Sequence, residues 1–238
     1  MGTDREATGP RNVGRGLDRE VVVRGALRAI DRHGAQGLTM RGLGQELGVE
    51  AMSLYRYVTG REDVLEAVVA HLLDGITEGL DEQLSSSWQG YLQNLAHTMR
   101  ELALQHPRVF PLVATRHPAA PWLRPPLRSL EVVEHFLRTL RDFGFSDDQT
   151  VSVYRSFSSF LLGHLLLEAT LHGAETSPVE EPLDEGGADI PNRDEQVELA
   201  ADSEVLRLRP KLSEDHGEEE FEISLETLLD RIELSIAQ

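Results

Sequence analysis

The stretch from Leu38 to Tyr57, LTMRGLGQELGVEAMSLYRY, restricts the fold of this chain more than any other part of it. Its apolar residues have the spacing at which two short helices joined by a tight turn bury them in one small core. These residues are Leu43, Leu47, Val49 and Leu54. Gly44 is small where the two helices must approach, and Gly48 stands at the turn, where glycine adopts a positive φ angle without strain. The pattern predicts a helix-turn-helix, whose second helix enters the major groove of DNA, with an ordinary helical hairpin as the alternative.

Helical periodicity continues on both sides of this motif. Asp18 is a good N-cap for a first helix that ends at His33, just before a glycine. A second helix is predicted over 40–47, a third over 51–57 and a fourth from 61 to about 80. Thr59 and Glu62 have the spacing of a capping box at the start of the fourth helix. Because the fourth helix extends well beyond the motif, we expect it to link the motif mechanically to the rest of the chain.

The remaining sequence also has the period of helices and shows no alternation strong enough to predict a strand. Helices are predicted over 88–105, after Pro107 through Val113, over 127–143, over 146–172 and over 221–236. Residues 177–219 are acidic and punctuated by Pro and Gly, which predicts a long loop with room for one short helix near 194–203. The predicted fold is all-α, with a flexible arm (1–16), a three-helix DNA-binding domain (17–63, the head) and a larger ligand-binding and dimerisation domain (64–238, the body).

The charge distribution is compatible with a nucleic-acid partner although the net charge is −18. Residues 1–66 contain 10 Arg, no Lys and 10 acidic residues, whereas the remaining chain has 13 basic and 31 acidic residues. Because attraction to phosphate is local over a Debye length of about 8–10 Å, an acidic body does not exclude DNA from a neutral, Arg-only head. The chain has no Cys, no secretory signal pattern and no apolar run of the ~20 residues that span a bilayer, so a cytoplasmic location is expected.

Several short segments of the head resemble the TetR (tetracycline repressor) family. They are Gly37-Leu38-Thr39-Met40-Arg41, Leu47-Gly48-Val49, Leu54-Tyr55-Arg56-Tyr57-Val58 and Leu65. More weakly, the body is similar to the tetracycline-repressor-type C-terminal domain, at His106-Pro107, Phe143-Gly144-Phe145-Ser146, Leu162-Gly163 and Phe221-Glu222-Ile223-Ser224-Leu225-Glu226. The resemblance implies a head that binds an operator, a body that binds a small inducer, and two bodies paired through a four-helix bundle.

The side chains expected to contact DNA lie in and around the motif. They are Thr39, Arg41, Ala51, Met52, Ser53, Tyr55, Tyr57 and Arg61. Arg41 has the length to reach a guanine edge, with a phosphate contact or a solvated charge as the alternative. Ala51 and Met52 offer no hydrogen bond and could only pack on a thymine methyl group. The other donors suit phosphates, although core packing is the alternative for the tyrosines.

Large or ionisable side chains on the middle helices predict a mostly apolar cavity for an inducer, with an ordinary core position as the alternative for each. They are Trp88, Leu95, Met99, His106, Phe110, Trp122, Phe136, Phe157, Phe160 and His164. The resemblance places His106 where tetracycline-binding members have a metal-binding histidine. However, Thr77 replaces a ligand-contacting histidine and Glu168 is out of step by one residue. We therefore expect no metal, no other cofactor, and an apolar inducer other than tetracycline.

One head is too small for tight specific binding, so we expect a homodimer that reads a palindromic operator. The apolar late helices offer its interface, at Val153, Leu161, Leu165, Leu225, Leu228, Leu229 and Ile232, with the core of one chain as the alternative. The leading hypothesis is a repressor that a small molecule releases from DNA. The rivals are an enzyme that uses the body cavity and a helical module that recruits a basic partner. Against an enzyme, the chain lacks an H-E-x-x-H, a G-x-S-x-G, a Cys nucleophile and a phosphate-binding glycine loop.

Overall fold

The computed structural model describes residues 17–76, 80, 86–115, 117, 119–174 and 203–236. Within these ranges the chain is all-α, as predicted, and has no strand. The helices are α1 (Arg19–His33), α2 (Met40–Leu47), α3 (Ala51–Leu54), α4 (Arg61–Leu73), α5 (Trp88–Gln105), α6 (Leu130–Asp142), α7 (Asp147–Leu171), α8 (Glu204–Leu212) and α9 (Gly217–Ile236), with one 3-10 turn at Phe110–Leu112. The predicted arm at 1–16 and the predicted short helix near 194–203 fall almost entirely outside the described residues.

Local side-chain chemistry sets the ends of the first two helices. The Asp18 carboxylate accepts a 2.7 Å hydrogen bond from the Val21 N–H and so caps α1. The Thr39 hydroxyl accepts one of 3.0 Å from the Gly42 N–H and so caps α2. Gly48 ends α2 in the left-handed conformation at φ 68°, as the position of this glycine predicts.

The third and fourth helices differ from their predicted bounds. The third helix ends at Leu54 rather than at residue 57, because the N–H groups of Tyr57 and Val58 both donate to the Leu54 carbonyl and the chain leaves the α-helical register. The fourth helix ends at Leu73 rather than near 80, because the backbone of Asp74 is extended.

The predicted capping box at the start of α4 is wrong, since Gly60 is the N-cap and makes no side-chain cap bond. Instead, the Asp63 carboxylate accepts hydrogen bonds from the N–H and the hydroxyl of Thr59, at 2.7 and 3.3 Å. Glu62 pairs with the adjacent Arg61 at 2.9 Å. Asp63 rather than Glu62 therefore holds the turn that precedes α4.

In the body, α7 lies at the centre and packs against α5, α6 and α9. The predicted loop at 177–219 is wrong at its end, because α8 occupies Glu204–Leu212 and α9 already begins at Gly217. Glu218, Glu219 and Glu220 stand in the first turn of α9, where negative charge interacts favourably with the helix dipole. The helix predicted over 127–143 begins later, at Leu130, where Ser129 caps it.

The apolar residues predicted to pair two chains are used within one chain. Six of them are at most 5% exposed and pack in the core: Val153, Leu161, Leu165, Leu225, Leu229 and Ile232. Leu228 is partly buried against the same core. This burial corrects the prediction, because these side chains belong to the core that α7 forms with α5, α6 and α9 in the same protomer.

Candidate functional site

The helix-turn-helix is built on a close approach between α2 and the start of α3. A Cβ atom on Gly44 would lie 2.9 Å from the Val49 carbonyl oxygen and 3.1 Å from the Ala51 nitrogen, which is too short for any side chain. Leu43 and Leu54 are 1% and 0% exposed and fill the small core between the two helices. The motif is therefore a rigid unit that fixes the direction of α3.

The outer surface of this unit carries most of the predicted DNA contacts. Met52 is 74% exposed and Tyr55 47% exposed, while Ala51 and Ser53 are partly buried on the same short helix. Arg41 is exposed on α2, and its guanidinium makes no hydrogen bond or ion pair within the described residues. Arg41, Met52 and Tyr55 are therefore accessible to a ligand.

Arg61 uses its side chain, and Tyr57 its backbone carbonyl, for hydrogen bonds within the protein. The Arg61 guanidinium donates to the carbonyls of Leu38 and Ala35, at 3.0 and 2.8 Å, and ties α4 to the turn between α1 and α2. The carbonyl of Tyr57 accepts a 2.8 Å hydrogen bond from Arg19. Sequence patterns miss these bonds because they join residues more than 20 positions apart, and the phosphate-binding role of Arg61 stays a prediction.

A tight ion pair closes the head between α1 and α4. Arg19 Nη2 lies 2.6 Å from Asp63 Oδ1, and the Asp63 side chain is 22% exposed. The hydrogen bond from Arg19, followed by the one from the Thr59 N–H, lowers the pKa of Asp63 to about 2. The ionised carboxylate therefore stabilises the folded head at neutral pH.

We expect Asp63→Asn to lower the free energy of unfolding by about 1 kcal/mol at pH 7, because it removes a charged partner from a well-formed pair. The pKa of Asp63 is lower in the folded than in the unfolded state, so its contribution is complete above about pH 4 and disappears as the pH falls to about 2. Urea titrations of both proteins at pH 7, 4 and 3 should show the difference shrinking. Glu20→Gln, in an exposed pair 3.5 Å from Arg24, is the control; a difference independent of pH would contradict the assignment.

The residues predicted to line one cavity occupy several places in the body. Leu95, Met99, Phe136 and Phe157 do line a common apolar cavity between α5, α6 and α7, with a volume of about 30 Å³. Tyr154 and Ser158 supply its polar groups. The cavity holds about one water molecule, far less than the ~300–1,000 Å³ of a small-molecule pocket.

The other predicted pocket residues are not in that cavity, which corrects the single-pocket prediction. Trp122 is 72% exposed, Phe110 is fully buried, and Trp88 packs edge-on against Phe145. Phe160 and His164 face α9, where they pack on the Phe221 ring at centroid distances of 5.9 and 5.2 Å. Residues about one turn apart on α7 therefore pack against different helices.

A larger open cleft of about 890 Å³ lies where α5, α7 and the start of α9 meet. Its wall contains an ion pair that the sequence does not predict, Arg100 with Glu168, at 2.6 Å between Nη2 and Oε1. The Arg100 guanidinium also lies over the Phe221 ring, 5.3 Å from its centroid. The cleft is otherwise rich in acidic residues, at Asp215, Glu218, Glu219 and Glu220.

A second unpredicted cluster joins the head to the body. His106, predicted as a pocket residue, places Nδ1 3.0 Å from the Asp31 carboxylate on α1. Arg108 donates to the carbonyl of Arg32 at the end of α1 and, at 3.3 Å, to that of Gly173 just after α7. The end of α1 is therefore bonded to the body independently of α4.

Within the ranges that the structure describes, no group of three or more His, Asp or Glu side chains is arranged to hold a metal ion. Among the same residues, no helix is both long and apolar enough to cross a membrane.

Two family models match consecutive parts of the chain. The model of bacterial regulatory proteins of the tetR family matches residues 22–68, which include most of α1, all of α2 and α3, and the first part of α4. The model of the tetracyclin repressor-like C-terminal domain matches residues 82–236, which include α5 to α9. The first match covers the helix-turn-helix, and the second covers the helical body.

Individual relatives agree with these matches. The class D tetracycline repressor protein of Escherichia coli is 31% identical over 63% of this chain and 66% of its own length, so the chain spans just under two thirds of that relative. The HTH-type transcriptional repressor DrrR1 of Streptomyces coeruleorubidus is 27% identical over 93% of this chain and 78% of its own. A crystal structure of a possible TetR family transcriptional regulator from Streptomyces coelicolor A3(2) superposes with a TM-score of 0.67 at 26% identity, covering 92% of this chain and all of that one. The chain described here belongs to the TetR family of transcriptional regulators.

Proposed function

We propose that this protein is a repressor that binds a palindromic operator in the cytoplasm as a homodimer and is released from DNA by a small apolar molecule. The observation that carries the proposal is the rigid helix-turn-helix with an exposed α3, next to an unpaired Arg41. A recognition helix of this kind reads base edges in the major groove. The names of the matched relatives, among them a tetracycline repressor, support repression and ligand binding.

The ion pairs of the head leave cations free beside α3. Arg19, Arg24, Arg32 and Arg61 are each paired with a carboxylate. Arg41 and Arg56, which precede and follow α3, make no ion pair in the described part of the chain. Unpaired guanidinium groups on α2 and just after α3 suit phosphates of the DNA backbone.

The outward face of α7 is the surface best suited to pair two chains. It contains the small or apolar exposed residues Val151, Ser152, Ser156, Ser159, Gly163 and Leu167. A Cβ atom on Gly163 would meet no other atom within 4 Å, so packing inside the protomer does not require this glycine in mid-helix. Such small residues allow a second helix to come close, and a symmetric dimer would use the same face twice.

We expect Gly163→Arg to give a monomer that is at least as stable as the wild-type protomer, because arginine favours helix over glycine by about 0.5–1 kcal/mol while its side chain blocks the close approach. Light scattering at micromolar concentration should give about 53 kDa for the wild type, twice the 26.5 kDa of the chain, and half of that for the variant. Gly163→Ala is the control that adds helix propensity without bulk. A wild-type monomer, or a dimer that survives Gly163→Arg, would contradict this interface.

The apolar cavity between α5, α6 and α7 is the site best suited to the inducer. Its walls include the aromatic rings of Phe136, Tyr154 and Phe157. Because its volume of about 30 Å³ is too small for an inducer, binding must separate these helices, and α7 also contacts α9 and the 3-10 turn. A ligand that favours the expanded state would thereby shift the population away from the DNA-binding one.

Selection from a pool of random duplexes, followed by fluorescence anisotropy on the enriched sequence, tests the DNA-binding part of the proposal. We expect an enriched sequence with twofold symmetry, and an affinity that falls steeply between 50 and 200 mM salt. Apolar polycyclic compounds are then screened for displacement of that duplex. Val133→Ile, which adds one methylene group to the wall of the cavity, should keep DNA binding and weaken displacement; no enrichment of any sequence at low salt would refute the proposal.

A further inference from the structure

The most exposed large apolar side chain of the head is Met52, in the first turn of α3, with 74% of its surface accessible. Tyr55, three residues later, continues the same face of the helix at 47% exposure. A single exposed methionine is ordinary on a protein surface, so its exposure alone decides nothing. The position of Met52 is the informative observation, because the first turn of a recognition helix is the part that reaches base edges.

The chemistry of this side chain restricts what it can recognise. The thioether of methionine donates no hydrogen bond and accepts one only weakly, so Met52 cannot use the donor and acceptor code of the bases. In the major groove, the one apolar group that a base edge presents is the C5-methyl group of thymine. Methionine is also flexible enough to fit an irregular apolar surface.

The neighbouring side chains are less suited than Met52 to contact a thymine methyl group. Ala51 is partly buried beside the Gly44 contact, and Leu54 is fully buried in the core of the motif. Glu50 and Arg41 are exposed but charged, and they suit cytosine amino groups and guanine or phosphate respectively. Met52 is therefore the most exposed large apolar side chain of the motif, and unlike Tyr55 it has no hydroxyl group.

We infer that Met52 packs on the methyl group of a thymine in each operator half-site, and that this contact makes the protein select thymine at that position. The inference rests on the proposed function and adds to it a defined base and a defined group on that base. The close α2–α3 contact at Gly44 fixes the backbone next to Met52, so the reach of its side chain confines the selection to one or two adjacent positions of the half-site.

The test replaces each thymine of the selected operator duplex with deoxyuridine, one position at a time and symmetrically in both half-sites. Deoxyuridine keeps the base pair and every hydrogen-bonding group and lacks only the methyl. From the usual gain on burying one methyl group, we expect a loss of affinity of about fourfold for one half-site and about fifteenfold for both, at one or two positions.

The same duplexes are then measured with Met52→Ala, and with Leu212→Ala as a matched truncation of a 69% exposed side chain on α8. Met52→Ala should bind the thymine and deoxyuridine duplexes equally, whereas Leu212→Ala should keep the wild-type ratio. Circular dichroism confirms that both variants are folded.

The outcomes separate this inference from the function on which it rests. Tight wild-type binding with no effect of deoxyuridine at any position overturns the inference and leaves the repressor intact. A deoxyuridine effect that persists unchanged in Met52→Ala assigns the methyl contact to another residue and also overturns it. Failure to enrich any duplex from the random pool overturns the proposed function together with the inference.

Discussion

Gly44→Val is expected to reduce operator affinity by about a hundredfold or more, to the level of non-specific binding. The valine Cβ would stand 2.9 Å from the Val49 carbonyl oxygen, and the next nearest atoms, the nitrogen and Cα of Ala51, are also backbone, so no flexible side chain could yield. The start of α3 must therefore move away from α2, which redirects Met52 and Tyr55. The atoms nearest to the added Cβ all belong to the head, so the helices of the body should keep their thermal transition.

Gly60→Ala is the matched control for this substitution. Gly60 also lies in the head, but its backbone is extended and a Cβ atom there would meet nothing within 4 Å. We expect its operator affinity to stay within about twofold of the wild type, as surface substitutions away from contacts usually have small effects. Fluorescence anisotropy measures both variants on the same duplex, and a Gly44→Val protein with wild-type affinity would refute the close α2–α3 packing.

Glu168→Ala is expected to lower the free energy of unfolding of the body by about 3 kcal/mol. The Arg100 and Glu168 side chains are only 16% and 10% exposed, and Arg100 donates three hydrogen bonds to the carboxylate, at 2.6–3.2 Å. Removing the carboxylate leaves a largely buried guanidinium unpaired against the Phe221 ring, and breaking a buried pair in this way costs about 3–5 kcal/mol. The lower end applies because both groups keep some access to water.

Two further variants show whether the effect comes from the unpaired charge. Glu134→Ala breaks an exposed pair with Arg138, also 2.6 Å long, and should cost no more than about 0.5 kcal/mol. The double variant Arg100→Met with Glu168→Leu replaces the pair by apolar side chains and should recover most of the lost stability. Urea unfolding measures all of them, and a Glu168→Ala protein as stable as the wild type would contradict the account of this pair.

Sequence reasoning succeeded where the physical cause is local. The caps at Asp18 and Thr39 and the left-handed Gly48 depend on residues within four positions of one another, and the structure contains all three. It failed at Thr59 because both Glu62 and Asp63 are close enough to compete for that turn, and spacing alone does not decide between them.

Contacts between residues that are far apart in the sequence could not be predicted in this way. The pair of Arg100 with Glu168 and the bond from Arg108 to Arg32 join residues 68 and 76 positions apart. The apolar arc of α7 predicted burial correctly but could not assign it to the chain's own α5, α6 and α9 rather than to a second copy. The surface proposed for a second copy is the outward face of α7, where packing within the protomer does not require Gly163.

The most direct test of the central claim is an anisotropy titration of the selected operator and of the same duplex with one half-site scrambled. A dimeric repressor should bind the intact duplex with two chains and lose about a hundredfold or more in affinity when one half-site is scrambled. Equal affinity for the intact and scrambled duplexes, or one chain bound per operator, would contradict it.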